Sequence, residues 1–130
     1  MVKFKTLGLA SIAAAMYAIP AFAHHSFAMF DGDTTLTREG TITEFHWVNP
    51  HAWVVMTSPD EQGAEQTWAF ELLSPSSLAR NGWVPKSLTP GVEVSATFHP
   101  LKSGEPGGSL MQIEISDGTV LSVHGPDSAE

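Results

Sequence analysis

Residues 92–99 alternate strictly, with Val92, Val94, Ala96 and Phe98 on one side and Glu93, Ser95, Thr97 and His99 on the other. A period of two fits a half-buried strand and excludes an amphipathic helix over the same stretch. Residues 67–72 repeat the pattern, setting Trp68, Phe70 and Leu72 against Thr67, Ala69 and Glu71. Further strands are expected over residues 36–47 and 53–57. Another is expected where Met111, Ile113 and Ile115 face away from Gln112 and Glu114, which places all three apolar residues in the core. Asp117-Gly118 is a two-residue hairpin signal leading into a last short strand over residues 119–123. Turn clusters punctuate the runs: Asp31-Gly32-Asp33, Asn49-Pro50, the polar residues 58–64, Leu88-Thr89-Pro90-Gly91 and a glycine-rich hairpin loop over residues 104–108. Gly40, inside the long first strand, predicts a bulge or a sharp bend of the kind found in small barrels.

One helix interrupts this β pattern. Ser74 is a suitable N-cap, Pro75 suits the first helical position and Gly82 suits a left-handed stop, which frames about two turns. Three strands, a short helix, then two or three strands is the order of an OB-type barrel. The expected fold is therefore all-β with one short helix: a small OB-like β-barrel of five to six strands, the helix between strands 3 and 4. An open β-sandwich is the competing layout.

The first 23 residues are excluded from that fold. Lys3 and Lys5 precede an apolar run over residues 7–19, followed by Pro20 and Ala21-Phe22-Ala23. This is the layout of a cleavable secretory signal peptide, too short for a membrane span. Residues 1–23 are thus expected to be removed, residues 24–124 to form a single barrel domain and residues 125–130 to be a flexible tail. The mature protein is expected in the periplasm, with no membrane span. Of 6 basic side chains, Lys3 and Lys5 leave with the signal, so 4 face 14 acidic ones. Such a surface repels phosphate backbones and attracts cations, making nucleic acid a poor partner. With no cysteine, the domain holds together without disulfides, and thiolate metal sites and cysteine nucleophiles are excluded.

Cleavage after Ala23 would make His24 the N-terminal residue and His25 the second. An α-amine and an imidazole on one residue form a compact chelate, and a further histidine would complete a three-nitrogen site favouring Cu(II), with zinc the lesser choice. His51 and His99 are the candidate partners, since each adjoins a proline at a strand end. His46, near Glu44, is a weaker candidate. The metal set is therefore His24, His25, His51 and His99. A second reading uses aromatic surface: Trp47 and Trp53 flank Asn49-Pro50-His51 and are expected to be exposed, ready for a small molecule or a periplasmic protein. Trp68 is expected in the core, and Trp83 is expected to staple the helix to the barrel. No Gly-x-Ser-x-Gly elbow or His-Glu-x-x-His helix is present. No catalytic residue is assigned, and a binding module is expected rather than an enzyme.

The joint pattern of these motifs is specific. His24-His25-Ser26-Phe27-Ala28-Met29-Phe30-Asp31, Gly40-Thr41-Ile42 with Glu44-Phe45, and Trp47-Val48-Asn49-Pro50-His51 come first. Leu78-Ala79-Arg80-Asn81-Gly82-Trp83, His99-Pro100-Leu101-Lys102-Ser103-Gly104 and Gly107-Gly108-Ser109-Leu110 follow. Together they resemble a family of exported bacterial proteins, the domain-of-unknown-function family numbered 6152. The resemblance implies compartment and architecture and carries no catalytic residue with it.

Overall fold

The structure, a computed structural model, describes residues 27–125. The expected signal segment, His24, His25 and residues 126–130 lie outside the described residues. A 3-10 turn, Phe27–Met29, precedes β1 (Leu36–His46), β2 (Trp53–Pro59), β3 (Glu65–Glu71), α1 (Pro75–Arg80), β4 (Glu93–Pro100), β5 (Gly107–Ile115) and β6 (Val120–Ser122). The sheet runs β3-β2-β1-β4-β5-β6, and β3 also pairs in parallel with β5. That last pairing closes five strands into an OB-like barrel with α1 between β3 and β4, leaving β6 as an extra strand on β5.

The long β1 makes closure possible, because its first half pairs with β4 and its second half with β2. Gly40 sits near the changeover, where a Cβ would lie 2.5 Å from the Thr57 carbonyl oxygen and 2.9 Å from Met56 Sδ. The glycine thus permits a close crossing of strands. The bulge expected there is three residues further on: the register shifts between Ile42 and Glu44, making Thr43 the extra residue. A glycine in a strand signals either device, and only the pairing tells them apart.

The alternation sets the core. Phe70, Phe98, Val54, Met56, Ala96 and Ile42 point inward and are fully buried. Trp68 is partly buried against them, stacked at 6.2 Å on Phe70 and 5.7 Å from Phe98, with the Arg38 guanidinium 4.1 Å above its ring. Met111 breaks the expected parity. A second register shift, opposite Thr97 and Phe98, skips Met111 and turns Leu110 into the core in its place, while Ile113 is buried as expected. The glycine-rich loop is also shorter than expected, since Gly107 and Gly108 already belong to β5.

Ser74 caps α1 by accepting from the Ser77 amide at 3.3 Å, and the chain leaves the helix through Asn81 and Gly82, the latter at φ +89°. Trp83 then plugs one end of the barrel. It is buried, packs on Phe45 at 5.9 Å and donates its Nε1–H to the Ser122 carbonyl at 2.8 Å. Asn81 Nδ2 donates to the Val123 carbonyl at 2.7 Å, so helix and β6 hold each other.

Candidate functional site

Closure of the barrel draws two of the candidate residues, Trp53 and His99, onto one belt with His46 and Glu71. His46 on β1 pairs with Trp53 on β2, Trp53 with Glu71 on β3, Glu71 with Ser109 on β5, and Ser109 with His99 on β4. Paired residues share a face, and the inward positions are taken by Val54, Phe70, Leu110 and Phe98. The belt therefore runs round the outside. Strands lie about 4.8 Å apart, which puts the Cα atoms of Glu71 and His99, two strands apart, at about 10 Å.

His51 stands just before β2, next to the cis Asn49–Pro50 peptide. Its Nδ1 is hydrogen-bonded to Glu71 Oε1. The Glu71 side chain is almost wholly buried while His51 stays about one-third exposed. Glu71 Oε2 is buried without a hydrogen-bond partner. An unmet buried acceptor costs about 1–3 kcal/mol, more when charged. His99 has a matching arrangement at the other end of the belt, its Nδ1 lying 2.8 Å from the Thr34 carbonyl oxygen. A carbonyl only accepts, so Nδ1 of His99 carries a proton, and in the neutral ring Nε2 carries the lone pair. His46 differs: its Nε2 is engaged by Glu44 Oε2 at 2.6 Å in an exposed pair.

Thr34 is itself fixed. Asp31 accepts from its hydroxyl at 2.7 Å and from the Asp33 amide at 3.2 Å. The Thr34 hydroxyl, then the Asp33 amide, hold the Asp31 carboxyl below the ordinary aspartate range, with Lys102 and His99 adding to the effect. A depressed pKa contributes stability that is fully present above the unfolded value, near pH ~4, and is lost as pH falls through the folded value. Asp31→Asn removes this contribution where it is present, so it is expected to lower stability modestly at neutral pH and to converge with wild type below about pH 4, giving a flatter acid limb in thermal melts across pH. An unaltered acid limb would show that the Asp31 turn contributes nothing there.

The chain before β1 lies along the end of β4. Asp31 N donates to the Pro100 carbonyl at 2.8 Å, Lys102 N donates to the Met29 carbonyl at 3.0 Å, and Phe30 bridges Leu101. The first described residue, Phe27, is therefore held near the strand end that carries His99. Among the described residues no three His, Cys, Asp or Glu side chains gather as a metal cluster, so His51 and His99 would each need donors from elsewhere.

The two tryptophans separate. Trp47 is half-buried, edge-on to Phe45 at 5.8 Å, and packs against the core. Trp53 is half-buried on the belt between His46 and Glu71. A groove of about 860 Å³ lies at the opposite ends of the strands, lined by Arg38, Glu39, Ser58, Glu93, Ser95 and Glu114. It contains no histidine and is separate from the belt. Glu71 is the residue that sequence reading passes over. Alternation places it on the polar face of β3, but only the β2–β3 register brings it to His51.

Strand order, parallel β3–β5 closure and the intervening helix define the class as an OB-like barrel. The sequence matches the family of unknown function DUF6152 over residues 12–111, and the chain belongs to that family. No curated protein and no solved structure matches it. Among the described residues no helix is long and apolar enough to cross a membrane.

Proposed function

We propose that the chain is an exported, periplasmic metal-binding module that takes Cu(II) in preference to Zn(II), with His24 and His25 at the mature N-terminus and His51 or His99 as protein partner. The observation that carries the reading is the shared state of His51 and His99. Each has Nδ1 engaged by an oxygen, Glu71 Oε1 for His51 and the Thr34 carbonyl for His99. Metal-binding histidines characteristically donate their other ring N–H to a carboxylate or a backbone carbonyl, which fixes the ring and leaves a lone pair on the ligating nitrogen. Three residues link Phe27 to His24, a reach of at most about 11 Å. The acidity of the mature chain favours cations near this surface.

Titration of the mature protein with Cu(II) tests the reading. A chain starting at His24 is expected to bind one ion tightly. Acetylation of the His24 α-amine removes it as a ligand and is expected to weaken binding at least ~100-fold, about 2.7 kcal/mol. Equal affinity with and without the acetyl group would remove the N-terminus from the site.

Trp53 favours a second reading, recognition of a small molecule or a periplasmic protein. It lies on the outer β2–β3 face, where OB-type barrels hold their ligands, and outside the core cluster. Trp47, packed against the core, would add only an edge to that surface.

A further inference from the structure

We infer that Glu71 is the positioning residue of the metal centre: its buried carboxylate holds the His51 ring with the proton on Nδ1 and so presents Nε2 to the ion, making His51 the anchoring ligand. This rests on the metal reading above and assigns a role to a residue outside the ligand set.

Glu71 is 4% exposed and lies on the outer face of β3, away from the core side chains. Among the described residues, the one hydrogen-bond partner of its side chain is His51. Its second oxygen is buried and unpartnered. The ion pairs among the described residues are His46–Glu44 and His51–Glu71, so no lysine or arginine neutralises the Glu71 carboxylate. The whole compensation of a buried acid therefore passes through one imidazole. Were the position purely structural, an apolar side chain of similar volume would serve as well or better. A cation at Nε2 changes this balance. It draws electron density through the ring, strengthens the Nδ1–H donation to Oε1 and brings positive charge next to the carboxylate. His99 has only the neutral Thr34 carbonyl behind it, which raises the basicity of its Nε2 less. The two candidate ligands are thus unequal, and the difference is set by Glu71.

The experiment uses the mature chain beginning at His24, labelled with ¹⁵N in its histidines. Long-range ¹H–¹⁵N NMR of the metal-free protein reads the tautomer of His51. Titrations with Zn(II) and with Cu(II) then compare wild type with Glu71→Gln and His99→Ala. His51 is expected to carry its proton on Nδ1. Glu71→Gln, with folding checked by circular dichroism, is expected to bind either ion about 10–100-fold more weakly and to lose more affinity than His99→Ala. A proton on Nε2 of wild-type His51 would overturn the inference, because Glu71 would then be the donor; this holds even if Glu71→Gln fails to fold. Unchanged affinity in a folded Glu71→Gln overturns the inference and leaves the metal reading standing. Failure of wild type to take up either ion overturns the metal reading, and this inference with it.

Discussion

Trp83→Ala is expected to lower the stability of the domain by about 3–5 kcal/mol, the range for truncating a buried tryptophan. The side chain is 1% exposed and plugs the barrel against Phe45. Its loss opens a cavity in the core cluster that it shares with Leu78, Leu88 and Val123. It also removes the donor to the Ser122 carbonyl. Urea unfolding should show a lower midpoint with an unchanged slope, and the melting temperature should drop by more than about 12 °C. The disulfide-free chain has no covalent cross-link to soften that loss. A change below about 1 kcal/mol would mean that the helix and β6 are held by something other than this residue.

Gly108→Ala is the second large effect, expected at about 3 kcal/mol, the upper end for overpacking. A Cβ at Gly108 would overlap the His99 carbonyl oxygen and lie 2.8 Å from Phe98 Cδ2. The obstacle is backbone, so no side-chain rotation relieves it. Gly107 meets the Ala69 carbonyl oxygen in the same way, and the two glycines are where β5 passes between β4 and β3. Forcing those strands apart shifts Ser109 and His99 together. Hydrogen exchange should therefore accelerate at the β4–β5 and β3–β5 amides ahead of the β1–β2 amides. An alanine variant within about 0.5 kcal/mol of wild type would show that the seam yields cheaply.

These two residues mark how far the sequence could be read. Trp83 is legible as a staple because it follows a helix stop, and local chemistry alone indicates its role. Gly108 is not. Within Gly104-Glu105-Pro106-Gly107-Gly108 a turn glycine and a close-approach glycine look identical, since both differ from other residues only by lacking a Cβ. The same ambiguity moved the bulge from Gly40 to Thr43 and the inward residue from Met111 to Leu110. A bulge is an agreement between two strands and leaves no mark in one of them. The site divides likewise: proline neighbours and strand ends point to His51 and His99, while Glu71 reads only as a polar-face acid.

By itself the sequence determined the strands, the helix with its cap and stop, the OB-like order and the inward faces of β3 and β4. Those follow from period-two alternation and short-range turn chemistry, which act within a few residues. The tertiary structure alone decided that β3 closes on β5, that His46, Trp53, Glu71, Ser109 and His99 form one belt, and that a buried carboxylate stands behind His51. These depend on register between strands far apart in the chain, and a register shift of one residue would turn each of them to the opposite face.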